Sequence, residues 1–253
     1  MEPQLRHAVT DGVATVVIDH PAKRNAMTAD MWRQVPPLLA GLAADPAVRT
    51  LVLTGEGTTF CAGADISSLR QSPGEAQELA VLAEEALAAF PKPTLAAVRG
   101  YCVGGGSQLA AACDLRFADE GALFGITPAK LGIVYPSSST RCLVSLVGPA
   151  TAKYLLFSGE LIGAERALRT GLVDEVLPAG ELDKRVAEFT RVLAARSQLT
   201  QAAAKEFAAG RLDRDAYWGE QARAGGDTAE GVAAFLERRE PHFTWTPRAA
   251  PAD

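Results

Sequence analysis

Histidine and cysteine are scarce in this chain, and neither is arranged for chemistry of its own. The three histidines, His7, His20 and His242, stand far apart, and the four cysteines, Cys61, Cys102, Cys113 and Cys142, form no CxxC pair. No metal site is therefore expected, and the cysteines read as reduced thiols of a cytoplasmic protein. There is no N-terminal signal peptide and no apolar run of 18 residues, so no membrane segment is expected. The Ala-rich stretch from Glu75 to Phe90 carries four glutamates and reads as an amphipathic helix. No GxxxxGK[ST] occurs, and no GxGxxG follows the early strands, which argues against a nucleotide-phosphate loop. The net charge of −5 gives no sign of nucleic acid or an anionic membrane as a partner.

What is present is a globular composition, 48% hydrophobic and 22% charged over 253 residues, enough chain for a sizeable core. The β-branched run Val13–Asp19 follows the turn pair Asp11-Gly12 and predicts a strand entered from a hairpin. Thr28 is placed to cap a helix over 29–44, which Asp45-Pro46 ends. A strand over 48–53, a helix over 74–90, a strand over 94–98, a helix over 105–113 and a strand over 114–118 follow. Strands alternating with helices predict an α/β core of right-handed crossovers. From about Thr151 the pattern is mostly helical, with one apolar stretch over 172–177. A soft boundary near residue 195 divides an α/β core (1–195) from a helical C-terminal region (196–246), and 247–253 reads as a disordered tail.

The stretch Gly100-Tyr-Cys-Val-Gly-Gly-Gly-Ser-Gln-Leu109 concentrates the chemistry. Three glycines before an apolar helix leave bare N–H groups at a helix N-terminus, where negative charge is favoured. Such a loop can hold a developing oxyanion. A tight turn with close helix packing explains a glycine run equally well.

Three stretches, His20–Met27, Gly57–Ile66 and Gly100–Leu109, resemble the signature motifs of the crotonase (enoyl-CoA hydratase/isomerase) superfamily. Phe124–Gly132 and Glu230–Arg238 resemble two more, all in the family's order. The resemblance implies a crotonase-like spiral of repeated ββα units, with a helical C-terminal region used to form a homotrimer or a dimer of trimers. It implies acyl-CoA or enoyl-CoA thioesters as ligands, in fatty acid metabolism, with coenzyme A as part of the substrate and no permanently bound cofactor. The implied oxyanion donors are the backbone N–H groups of Ala64 and Gly105. The implied coenzyme A contacts are Lys23, Arg24, Ala26, Ala62, Asp65, Ile66 and Ser67, with Phe235 and Arg238 reaching from a neighbouring subunit. A core contact is the competing role for Phe235, a solvated cation for Arg24, and a bond to its own loop for Asp65.

The positions of the family's two catalytic glutamates are taken here by Gln108 and Pro128. A glutamine amide can hold a water but cannot deprotonate it. Tyr135 is the candidate proton donor, with a packed aromatic as the alternative. Glu84 and Glu85 lie on the preceding helix, within possible reach of the pocket. Lys130 reads as a surface cation, and Ser137, Ser138 and Ser139 as caps of a helix over 140–147. Two functions stay open. One is a crotonase-type enzyme (isomerase, lyase, hydrolase or specialised hydratase), for which ordinary hydration is doubtful. The other is a non-catalytic acyl-CoA-binding protein.

Overall fold

The computed structural model describes residues 2–67 and 73–247. Of the tail expected to be disordered, only Pro247 falls among them. The chain opens with an antiparallel hairpin, β1 (Gln4–Thr10) and β2 (Val13–Asp19). Its two-residue turn has positive φ at both Asp11 and Gly12, the conformation that suits the strands' twist. Strands β3 (Thr50–Gly55), β4 (Thr94–Val98), β6 (Leu115–Asp119) and β9 (Glu175–Leu177) then add in parallel, giving the order β1-β2-β3-β4-β6-β9. Connections between parallel neighbours run through helices, as parallel pairing requires. Edge strand β1 is largely exposed, and its Arg6 pairs with Asp19 and Glu56, a charged edge that discourages further pairing.

Alternation along the strands builds a core on each face of this sheet. Ala14, Val16, Ile18, Leu51, Leu53, Ala96 and Val98 pack against Trp32 and Leu39 of α1 (Ala29–Ala44), Leu87 of α2 (Pro73–Ala88) and Leu109 of α3 (Gly105–Ala112). The alternate residues Val52, Leu95, Ala97 and Phe117 meet Leu182 and Val186 of α6 (Leu182–Ala195) on the other face. Thr28 caps α1 as expected, its hydroxyl accepting from Met31 N–H.

A second sheet of three short strands, β5 (Tyr101–Val103), β7 (Leu123–Gly125) and β8 (Ile162–Gly163), has the order β5-β7-β8. The chain passes from β4 in the large sheet into β5 in the small one, and the glycine loop follows directly. Helix α4 runs from Ser137 to Ser158, bent at Gly148 (φ +72°) before Pro149. This corrects the expected helix over 140–147. Pro136 occupies the N-cap without a side-chain cap, Ser137–Ser139 form the first turn, and Ser139 turns inward to Glu84. Helix α5 (Ala164–Arg169) leads to β9, and α7 (Gln198–Ala208), α8 (Asp215–Ala224) and α9 (Asp227–Glu237) complete the helical C-terminal region. Leu199, Ala202 and Trp218 form a separate apolar cluster there. No helix among the described residues is long and apolar enough to cross a membrane. All four cysteines are free thiols, and no group of three metal-ligating side chains occurs among the described residues.

Candidate active site

Two extended segments and a helix start meet at the glycine loop. Cys61 N–H donates to Tyr101 C=O and Val103 N–H to Cys61 C=O, so residues 60–62 run beside β5. Further along, Met27 N–H donates to Gly63 C=O and Asp65 N–H to Met27 C=O, each at 2.8 Å. Ala64 is thus bracketed, and in extended backbone its own N–H points the opposite way, toward Gly105. A Cβ built on Gly105 would lie 3.6 Å from Ala64 N. Gly105 is the first residue of α3, where helical N–H groups have no partner in the helix. Neither the Ala64 nor the Gly105 N–H has an acceptor among the described residues. Two fixed donors side by side can polarise one oxygen and stabilise negative charge developing on it.

Glycine is required at the neighbouring turns. Gly63 has φ +110°, and a Cβ there would stand 3.1 Å from Val103 O. Gly104 has φ +55° and donates its N–H to Gly125 C=O at 2.8 Å, tying the loop to the small sheet. Asn25 holds the other side. It is fully buried, adopts φ +58°, accepts from His20 N–H and donates to the carbonyls of Glu56 and Thr59. His20 Nδ1 lies 2.7 Å from Ala26 O.

In front of the two donors lies a cavity of about 130 Å³, lined by Trp32, Ala62, Ala64, Ile66, Ala80, Gly105, Gln108, Pro128, Leu131, Ile133 and Tyr135, among others. Gln108 and Pro128 do face the same space as the donors, as the motif alignment implies. No described lining residue is a carboxylate, a histidine or a cation. Tyr135 is partly buried against the core. Burial and the nearby Glu84 push its phenol above the usual tyrosine range, so it stays protonated. Its hydroxyl makes no hydrogen bond to the described residues and is not among the fully buried, unpartnered polar atoms, so a packed aromatic with its hydroxyl on water fits as well as a proton donor does.

A buried carboxylate lies one layer behind Gln108. Glu84 of α2 is 5% exposed. Its Oε2 accepts from Gln108 Nε2 at 2.7 Å and from the Ser139 hydroxyl, and Gln108 Nε2 lies 3.1 Å from Ser139 Oγ. Burial raises the Glu84 pKa, while the two donors oppose that shift. Glu85 does not enter this cluster. The sequence offered no signal for the contact, because residues 84, 108 and 139 sit on three separate helices.

The residues expected to hold coenzyme A are partly gathered. Lys23 Nζ reaches Asp65 Oδ2 at 2.7 Å and Ser67 Oγ at 3.3 Å, and Asp65 also accepts from Ser67 N–H. Burial works against the charge of Asp65, but Lys23 and Ser67 hold its pKa below the usual value. Arg24 is exposed, with its guanidinium 4.9 Å from the Tyr101 ring centroid. Ile66 is 60% exposed at the cavity rim, and Ala26 is buried. Phe235, 82% exposed on α9, is not a core contact. Neither it nor Arg238 lines the cavity within one chain. Lys130 lies on a 3₁₀ turn over Pro128–Leu131 at the surface. A larger cavity of about 700 Å³ among α7, α8 and α9 has Asp215 and Asp227 as its ionisable lining. It lacks both the paired donors and any basic group.

This arrangement has close counterparts. Residues 8–246 match the enoyl-CoA hydratase/isomerase family. The chain is 36% identical over 246 residues to a crotonyl-CoA hydratase of Syntrophomonas wolfei, covering 91% of this chain and 94% of that one. The crystal structure of an enoyl-CoA hydratase/isomerase family member aligns with a TM-score of 0.90 at 39% identity, covering 98% of this chain and all of that one. A family protein from Hyphomonas neptunium aligns equally well, with a TM-score of 0.90 at 35% identity over 95% of this chain and 97% of its own. The chain therefore belongs to the enoyl-CoA hydratase/isomerase, or crotonase, family, and its fold is the α/β crotonase fold.

Proposed function

We propose that this protein binds acyl- or enoyl-CoA thioesters and stabilises a thioester enolate with the backbone N–H groups of Ala64 and Gly105. The observation that carries this reading is the convergence of those two unpartnered donors on a small, largely apolar cavity. Fixed donors need no reorganisation as charge develops, and one such donor contributes on the order of 3 kcal/mol to the transition state. Lys23, Arg24 and the 62–67 segment border the entry used by the coenzyme A moiety. The exposed Phe235 and Arg238 of α9 belong to the contact with a neighbouring subunit in a trimer or dimer of trimers.

Proton transfer differs from that of an ordinary hydratase. The positions of the usual glutamates carry Gln108 and Pro128, which cannot exchange a proton, and Tyr135 is the one titratable group on the described wall. A phenol held protonated can donate to carbon but cannot activate water. We therefore assign enolate chemistry of the lyase or isomerase type, which activates no water, with crotonyl-CoA hydration very slow. The test is incubation with a panel of acyl- and enoyl-CoA esters read by mass spectrometry. Turnover of at least one ester with little hydration of crotonyl-CoA is expected. Hydration at an ordinary hydratase rate contradicts the assignment. Binding across the panel without product supports the second reading, a non-catalytic acyl-CoA-binding protein, which the carboxylate-free wall favours.

A further inference from the structure

Gln108, Glu84 and Ser139 form a hydrogen-bond triangle whose polarity is fixed. Glu84 Oε2 accepts from Gln108 Nε2, so the amide turns its NH₂ toward Glu84 and its carbonyl away from it. Nε2 lies 2.7 Å from Glu84 Oε2 and 3.1 Å from Ser139 Oγ, two acceptors on the same side of the nitrogen, so a single N–H is shared between them. The Ser139 proton goes to Glu84, which leaves the serine lone pair free to accept from Gln108. Turning the amide over would set its carbonyl against the carboxylate and break both bonds. The remaining atom, Gln108 Oε1, has no partner among the described residues, and Gln108 lines the cavity while Glu84 and Ser139 do not.

We propose that Glu84 is a positioning residue that locks the Gln108 carbonyl oxygen toward the cavity, so that the site selects CoA thioesters whose acyl group bears a hydrogen-bond donor such as a hydroxyl. This inference rests on the thioester site proposed above. Gln108 follows Gly105 by three residues on the same face of α3, a rise of about 4.5 Å. A hydroxyl oxygen on the third acyl carbon can stand about that far from a thioester oxygen held at Gly105. A 3-hydroxyl there donates to Oε1, whereas a 3-oxo group opposes it oxygen to oxygen. An unanchored glutamine would accept either substituent by turning its amide, so the discrimination originates in Glu84 and not in Gln108 alone.

Calorimetric affinities for 3-hydroxybutyryl-CoA, acetoacetyl-CoA and butyryl-CoA test the proposal. The wild-type protein is expected to bind the hydroxy ester about tenfold more tightly than the oxo ester, the scale of one hydrogen bond made against one opposed. In Glu84→Met the amide is released, and the two affinities come within about twofold of each other. Glu84→Gln, closer in shape, gives the same convergence because its amide can donate as well as accept and so releases the orientation of Gln108, and it keeps the test decisive if the methionine variant fails to fold. A wild-type ratio near one, or a ratio that survives either substitution, overturns the proposal. Failure of butyryl-CoA and both other esters to bind would instead refute the thioester site on which it rests.

Discussion

Replacing Gln108 by glutamate introduces the residue type that the family resemblance implies at this position, yet here it should not create a free base. The new carboxylate would stand where Gln108 Nε2 now lies 2.7 Å from Glu84 Oε2. Two unit charges about 4 Å apart repel by about 4 kcal/mol at an effective dielectric constant of 20. The pair therefore retains one proton into neutral pH and titrates as a unit. The folded state then binds a proton that the unfolded chain has released, so stability falls as pH rises. Guanidinium denaturation from pH 4.5 to 8 reads this directly. Gln108→Glu should approach wild-type stability at the acid end and lose up to about 4 kcal/mol toward pH 8. A deficit that does not vary with pH refutes the reasoning. It follows that Gln108→Glu supplies no free base at position 108 while Glu84 remains, and that adding Glu84→Gln is the condition under which one can appear there.

The two adjacent glycines should behave differently. Gly106→Ala drives its methyl into the Cys61 carbonyl, with Cys61 Cβ only 2.9 Å away, and should cost about 1–3 kcal/mol in denaturation. Gly105→Ala places its methyl 2.8 Å from the ring of fully buried Trp32 and 3.6 Å from Ala64 N, so it too costs stability, but its distinguishing effect is on the site. Loss of thioester turnover by about 100-fold or more, from kcat/KM, is expected as the oxygen is displaced from its donors. Asn25→Asp replaces the donor to two carbonyls by an acceptor and should cost about 2–4 kcal/mol in chemical denaturation at pH 7. Glu230, held by Arg239 and by His242 N–H, has its pKa lowered to about 2. Its contribution is whole above the ordinary glutamate range and is lost as pH falls toward 2. Glu230→Gln should therefore lower the melting temperature at pH 6 and make progressively less difference as the pH is taken down.

Much of the large sheet was legible because its strands carry their own signals. The run Val13–Asp19 alternates buried and half-buried residues behind an Asp-Gly turn, and β3 and β4 are short apolar runs between turn residues, as strands buried on both faces must be. The small sheet was not legible. Its strands are two or three residues long, too short for any periodicity, and they exist because Gly104, Cys61 and Gly125 find backbone partners far away in sequence. Ser137–Ser139 misled for a related reason. Serines before a helix suggest caps, but Pro136 starts the helix and Ser139 is drawn inward by a buried carboxylate. At the site, the motifs pointed to Ala64 and Gly105, whose backbones the fold sets side by side; their role as oxyanion donors is the proposal made above. The Glu84–Gln108–Ser139 triangle was not legible, since it depends on how three helices pack.

The central claim is that the thioester oxygen lies between Ala64 N–H and Gly105 N–H. Infrared difference spectroscopy of bound crotonyl-CoA, labelled with ¹³C at the thioester carbonyl, tests it most directly. Two donors aimed at one oxygen weaken its double bond, so the account predicts a carbonyl band at lower frequency than in free crotonyl-CoA, which persists because the ester is not hydrated. A bound ester with an unshifted band, or a band that disappears as the 3-hydroxy ester forms at an ordinary hydratase rate, would contradict it.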